Sequence, residues 1–224
     1  MPAHHVIAID GPAASGKSSV ARALAQRLQF SHVNSGAMYR AVTWHVLQRG
    51  VNVHEPAAVA AAIEQSRIVC DFIDNQSRIL IDDHDPTQHL RHDDVNRAVS
   101  LVSSVPRVRE ILVAHLRECA NKDNVVMEGR DIGSVVFPDA DVKIFLDADP
   151  QERIRRRLAE TEGAPEAIAE QTRQRDERDR TRAESPLVQS PEAIYIDSTG
   201  FSPDEVEEAI LKVIRKKLSN GKGF

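Results

Sequence analysis

The sequence predicts a three-layer α/β fold, a parallel sheet with helices on both faces, on three grounds. Short apolar runs alternate with longer segments of helical periodicity, and the series begins with a strand. Hydrophobic residues are 41% of the chain but aromatics only 4%, so the core must come from Val, Ile, Leu and Ala, which suits parallel strands under helices. The first strand runs into a glycine-bounded loop followed at once by a helix, and ligands on such sheets bind beyond the C-terminal strand ends. A chain of 224 residues holds one full domain of this kind with room for a small insertion.

Val6 to Asp10 form a buried strand closed by Gly11-Pro12. Val20, Leu24 and Leu28, with Ala21 and Ala25 beside them, recur at helical spacing. A second strand precedes Asn34-Ser35-Gly36, after which a helix over 37–49 stops at Gly50. An Ala-rich helix over 56–65 follows. The texture then changes, because 67–73 and 78–81 flank Asp74-Asn75-Gln76-Ser77 as a β-hairpin. A hairpin inside a strand–helix alternation marks an insertion of roughly 35–45 residues. Helices resume over 93–103 and 106–120, and 125–127 and 142–146 are further core strands. Residues 150–181 read as one helical stretch crowded with Arg, Glu and Asp, and 194–196 as a last strand. Ser202-Pro203-Asp204-Glu205 opens the final helix with an N-cap, a proline at its first position and acids in its first turn.

A net charge of −5 and a pI near 6.0 argue against a nucleic-acid binder, which would show a basic face. Cys70 and Cys119 are far apart and lack a CxxC partner, so two reduced thiols are expected. The apolar run near the N-terminus breaks at Asp10, too early for a signal peptide, and no segment approaches a membrane span; a cytoplasmic protein is expected. Asp82, Asp83, His84, Asp85, His89, His92 and Asp93 have no metal-binding helical spacing and are broken by Pro86, so they read as a polar rim. His4 and His5 read as a frayed start.

Gly11-Pro12-Ala13-Ala14-Ser15-Gly16-Lys17-Ser18 satisfies GxxxxGK[ST] between a strand and a helix, the P-loop of the NTPase fold. Its glycines let backbone N–H groups turn inward toward phosphate oxygens, and the helix that follows through Ser19 adds its positive N-terminal end. Lys17 reaches the β- and γ-phosphates of ATP, and the Ser18 hydroxyl is placed to ligate Mg²⁺. The guanine-reading NKxD signature is missing: Asn121-Lys122-Asp123-Asn124 ends in an amide and lies before a strand.

Arginines recur where ligands would bind. Arg175, Arg178, Asp179 and Arg182 stand at i, i+3, i+4 and i+7, one helix face that can close over phosphates and exclude water. Arg173, Arg178 and Arg180 fit a solvated face equally well. Glu128 is either a partner of Mg²⁺ or its water, or simply a strand-end acid.

The strings SGAMYR at 35–40, SLVSSVPRVRE at 100–110, EGRDIGSVVFPDADVKIFLDA at 128–148 and RQRDERDRTRAESPL at 173–187 resemble the bacterial-type cytidylate kinase family, in its order and over nearly the whole chain. The resemblance implies a core of 1–34, 104–150 and 185–224, a nucleotide-monophosphate-binding insertion of about 35–103 and a lid of about 151–184. It implies transfer of the γ-phosphoryl group of ATP, with Mg²⁺, to CMP or dCMP in pyrimidine metabolism. Arg40, Arg130 and Arg182 match positions holding the acceptor phosphate, and Arg175 and Asp179 positions at the sugar and reacting phosphates. Ser100, Arg109 and Asp131 match positions reading cytosine, and Ser35 joins the acceptor set. Lys17, Arg130, Arg175 and Arg182 are thereby the catalytic candidates, and adenine is expected near Asp197-Ser198-Thr199. A monomer that binds neither nucleic acid nor membrane is expected. The family commonly has Asp where this chain has Asn34, so position 34 is assigned no role that needs a negative charge. A UMP/CMP kinase of broader tolerance, a nucleic-acid module using the Arg-rich helix and a regulatory P-loop switch are the competing readings.

Overall fold

A computed structural model describes residues 4–160 and 163–219. The elements run β1 (Val6–Asp10), α1 (Lys17–Leu28), β2 (Ser31–Asn34), α2 (Ser35–Gln48), α3 (Pro56–Glu64), β3 (Ile68–Ile73), β4 (Gln76–Ile81), α4 (Asp93–Ser103) and α5 (Pro106–Ala120). They continue as β5 (Val125–Gly129), β6 (Val142–Asp147), α6 (Pro150–Glu160), α7 (Pro165–Thr181), β7 (Ile194–Asp197) and α8 (Pro203–Ser219). A π-helical turn over Ile132–Val136 follows β5 and has no counterpart in the expected elements.

All seven strands join one sheet in the order β3-β4-β2-β5-β1-β6-β7, parallel except for the β3–β4 hairpin. Strand alternation divides the core. Val6 and Ala8 of β1 face the layer of α2, α3 and α5, and Ile7 and Ile9 face α1 and α8. All four are fully buried, which requires the unbroken apolar run that marks β1 in the sequence. β1, β2 and β5 run parallel, so the loops after them open on one side of the sheet.

Four expectations change. The hairpin turn is two residues long, not four: Asp74 and Asn75 take φ of 50° and 57°, as a type I′ turn requires, and Gln76 and Ser77 belong to β4. The hairpin also extends the main sheet, through one parallel pairing of His32 with Gln76 and a bond from the His32 amide to the Asn75 carbonyl (2.8 Å). The charged stretch is two helices, because Gly163 at φ 143° and Pro165 at the start of α7 break the periodicity; residues 161 and 162 lie outside the described residues. His5 is anchored rather than frayed, its amide donating to Asn124 Oδ1 (2.7 Å) and its ring pairing with Asp141 (3.3 Å).

Fourth, Cys70 and Cys119 form a disulfide, with Cα atoms 6.2 Å apart, where two free thiols were expected. Sequence separation hid this. β3 packs on α5, and that contact brings the two sulfurs together inside the apolar layer. No helix among the described residues is long and apolar enough to cross a membrane. Denaturing the protein without reductant is therefore expected to expose no thiol to a colorimetric thiol reagent. Prior reduction should expose two and lower stability by roughly 2–4 kcal/mol through loss of the closed loop; two thiols without reductant would contradict the pairing.

Candidate active site

The loop between β1 and α1 has the geometry of a phosphate cradle. Gly11 sits at φ 152°, and a Cβ there would fall onto the Leu146 carbonyl oxygen of β6, so no other residue lets the two strands approach this closely. Gly16 at φ 90° caps α1 without offering a side chain, which leaves the first amides of the helix open toward the loop. Lys17 is buried and donates to the Pro12 carbonyl (2.5 Å) and to Ser15 Oγ (3.2 Å). Burial and the nearby Arg130 lower its pKa to about 7. Ser18 and Ser19 are exposed, and Ser18 Oγ donates to Glu128 Oε1 at the end of β5 (2.6 Å). Glu128 is thus hydrogen-bonded to the P-loop. A hydroxyl and a carboxylate side by side are hard oxygen donors of the kind Mg²⁺ takes in company with phosphate oxygens and water.

Asp10 carries no motif, yet it shapes the opposite wall. Burial pushes its pKa up to about 6, although it accepts from the amides of Ile132 and Gly133 (both 2.7 Å). Those two bonds fix the turn that aims Arg130 and Asp131. The only sequence signal was an acid ending an otherwise apolar strand.

Four arginines from four places meet above the loop: Arg40 of α2, Arg130 after β5, Arg175 of α7 and Arg182 at the end of α7. Arg130 Nε donates to Asp179 Oδ2 (2.8 Å) and Arg40 Nη1 to the Gly36 carbonyl (3.2 Å). Arg182 Nε donates to the Ser185 carbonyl (2.6 Å), while its Nη atoms lie 3.8 Å from Asp131 and 4.0 Å from Asp179. Burial and the neighbouring Arg175 push Arg40 down to about 9, and burial with Arg130 pushes Arg175 down to about 10. Asp179 stays below the ordinary carboxylate range; burial would raise it, but Arg130 and Arg175 prevail. Arg173, Arg178 and Arg180 are exposed, and Arg173 pairs with Glu170 (3.4 Å), as a solvated face does, whereas Arg178 borders the cleft.

At the far end of the cleft, Arg109 and Asp131, 4% and 3% exposed, form an ion pair. Arg109 Nη1 also donates to the Ser103 carbonyl (3.2 Å), and its guanidinium lies 5.2 Å from the ring centre of Tyr39. Ser100 of α4 lines the same region, and Ser35 Oγ donates to the Glu128 carbonyl (2.8 Å) where α2 begins. All the expected site residues border one cleft of about 1440 Å³ or the loop at its base. Buried Arg109 Nε, Arg175 Nε, Arg182 Nη2 and Tyr39 Oη have no hydrogen-bond partner, and all four can donate. Such donors mark where an acceptor-rich ligand belongs.

Asn34 caps α2, its Oδ1 accepting from the Ala37 amide (2.9 Å), a task an amide oxygen performs as well as a carboxylate. Ser198 Oγ donates to the Ser15 carbonyl (3.1 Å), and Arg156 donates to the Ser198 carbonyl (2.7 Å), which ties the turn after β7 to the phosphate loop. The acid- and histidine-rich rim of the insertion holds surface ion pairs such as Arg67–Asp83 and Arg78–Asp85, and Asp93 borders the cleft.

A family model described as cytidylate kinase matches residues 7–216. The chain belongs to the cytidylate kinase family. A cytidylate kinase of Solibacter usitatus is 47% identical, over 98% of this chain and 96% of its own length. One of Geobacillus kaustophilus is 42% identical, over 95% of this chain and 97% of its own. Among solved structures, an uncharacterized protein of Eubacterium ventriosum (TM-score 0.53, 14% identity, 94% of this chain and 98% of that one) shares the fold. So does a gluconokinase of Sinorhizobium meliloti (TM-score 0.51, 13% identity, 98% and 96%). These two speak to the fold alone.

A lysine with a pKa near 7 becomes fully charged beside phosphates, so triphosphate binding should take up a proton. Calorimetry of a Mg²⁺-bound, non-hydrolysable ATP analogue in buffers of different ionisation enthalpy is expected to show an uptake of about half a proton at pH 7, rising at pH 8. The uptake should vanish in Lys17→Met; an equal uptake in that variant would assign the proton elsewhere.

Proposed function

We propose that the protein transfers the γ-phosphoryl group of ATP to CMP or dCMP, giving ADP and CDP or dCDP, as a step of pyrimidine nucleotide metabolism. One observation carries this reading: the P-loop with Lys17 and a second cationic group, Arg40, Arg130, Arg175 and Arg182, line the same cleft. A hydrolytic switch needs only the first set.

The P-loop amides and Lys17 hold the donor phosphates, and Arg40, Arg130 and Arg182 hold the acceptor phosphate in line with them. An acceptor phosphate oxygen attacks the γ-phosphorus, the bond to the bridging oxygen breaks, and ADP leaves with that electron pair. Lys17, Arg130 and Arg175 neutralise the charge on the migrating group. The arginines stay charged at neutral pH even where burial and each other's presence depress them. Mg²⁺ would be held by Ser18, with Glu128 beside it, and supplies further charge neutralisation when bound. Residues of α6 and α7 act as a lid over the phosphates, and the region from α2 through α4 as the acceptor-binding insertion.

Cytosine presents an amino donor at N4 and acceptors at N3 and O2. Asp131 or the Ser100 hydroxyl accepts from N4, and the unpartnered Arg109 Nε donates to N3 or O2. Uracil reverses both N3 and position 4, leaving a donor facing a donor at N3 and an acceptor facing an acceptor at position 4, which costs about 1–3 kcal/mol per unsatisfied group. We take the working unit to be a monomer. We take it to act in the cytoplasm; the Cys70–Cys119 disulfide is buried.

The direct test is ADP release with Mg²⁺·ATP and, in parallel, CMP, dCMP, UMP, AMP and GMP. Turnover with CMP and dCMP, with UMP at least tenfold poorer, is expected. Equal turnover of UMP would favour a UMP/CMP kinase of broader tolerance, and no turnover with any acceptor would remove the kinase reading. Within that assay, Asp131→Ala should raise the KM for CMP far more than that for ATP. Arg182→Ala should lower kcat by about 10²-fold, as loss of one charge-stabilising donor does; an unchanged kcat would return this side chain to a structural role.

A further inference from the structure

Helix α7 is gripped at both ends of the cleft. The Asp176 carboxylate, 9% exposed, accepts from the Ala13 amide in the P-loop through Oδ1 (3.3 Å) and pairs with Arg153 of α6 through Oδ2. Arg153, 4% exposed, donates also to the carbonyls of Ala13 (3.3 Å) and Ala148 (3.1 Å), and its Nε lies 3.5 Å from Asp147 at the end of β6. Ala13 is thus held by its amide from α7 and by its carbonyl from α6. One turn along α7, Asp179 takes the bond from Arg130, and at the helix end Arg182 approaches Asp131. Asp176, Asp179 and Arg182 succeed one another at three-residue steps, along one side of the helix.

We propose that Asp176, together with Arg153, is a positioning residue that locks the register of α7 to the donor loop, so that seating of ATP and seating of the acceptor depend on each other. The inference rests on the kinase reading above. A buried Arg–Asp pair is a poor device for stability alone, because desolvation consumes most of what the attraction supplies and apolar residues often serve as well. Its value here is registry. A helix is stiff over two turns, so a loop that moves when phosphates enter carries Arg175, Asp179 and Arg182 with it. Linkage makes the effect reciprocal: CMP must tighten ATP binding by the factor by which ATP tightens CMP.

The experiment is calorimetric titration of Mg²⁺ and a non-hydrolysable ATP analogue, without and with saturating CMP, on the wild-type protein and two variants. Asp176→Asn removes the acceptor charge but leaves Arg153 buried with only Asp147 as an anionic partner. Arg153→Gln/Asp176→Asn removes both charges, and thermal melts establish that it is folded. The wild type should bind the analogue at least about fivefold more tightly when CMP is present. In the double variant the ratio should fall below about twofold, and kcat should fall about tenfold. A wild-type ratio near one, or a folded double variant that keeps the wild-type ratio, overturns the brace while leaving kinase turnover intact. Tighter analogue binding with an unchanged ratio also overturns it, making Asp176 a competitor for the Ala13 amide. Absence of CMP binding and turnover in the wild type removes the kinase reading itself, and the brace with it.

Discussion

The site depends on holding positive charge together before any phosphate arrives. Arg40, Arg109, Arg130, Arg175 and Arg182 border one cleft, and burial, with their mutual repulsion behind it, lowers the pKa values of Arg40 and Arg175. Three buried carboxylates make the gathering possible. Asp179 takes Arg130, Asp131 takes Arg109 and approaches Arg182, and Asp176 takes Arg153 behind the P-loop. Some donors stay unspent, as Arg109 Nε, Arg175 Nε and Arg182 Nη2 show in having no hydrogen-bond partner. The compensation is therefore partial, which is what a site for anionic ligands requires: full pairing would leave nothing for the phosphates, and none would drive the arginines apart.

This arrangement also bears on the competing reading of the Arg-rich helix as a nucleic-acid surface. Arg175 and Arg182 turn inward to the cleft, and the exposed Arg173 pairs with Glu170. A polyanion approaching from solvent would meet alternating signs on α7, with Glu166, Glu170 and Glu177 among the arginines. Charge is concentrated where only a small ligand reaches it.

What the sequence disclosed is what short-range rules control. The P-loop was legible because Gly11, Gly16, Lys17 and Ser18 satisfy a local backbone requirement, and β1 because burial on both faces demands VIAID. The arginines of α7 were legible as a face, and family resemblance supplied their roles. The partners were not. Asp176 looks like any acid in a charged helix until the fold sets it against Ala13, 163 residues earlier. Asp10 with Ile132, Glu128 with Ser18, and Cys70 with Cys119 are likewise contacts made by sheet order rather than by spacing. The β4–β2 pairing rests on a single residue pair, too little to leave a pattern in the chain. Asn34 shows the converse: its departure from the family's usual Asp seemed to touch charge, whereas the position caps a helix and needs only an acceptor.

The same site explains why such a protein does not optimise its own stability. Lys17 is depressed to about 7, so its cost to the folded state is full below that pH and disappears only above the ordinary lysine value. Asp10 is raised to about 6, so the stability it contributes is fully present only below the ordinary carboxylate value and is lost as pH rises through 6. Between those limits, across neutral pH, both groups work against the empty protein. A bound triphosphate reverses the first of these, because its charge is what Lys17 lacks. The strain at the mouth of β1 is thus a preference for the liganded state, built from one lysine buried under a loop that only glycine could make.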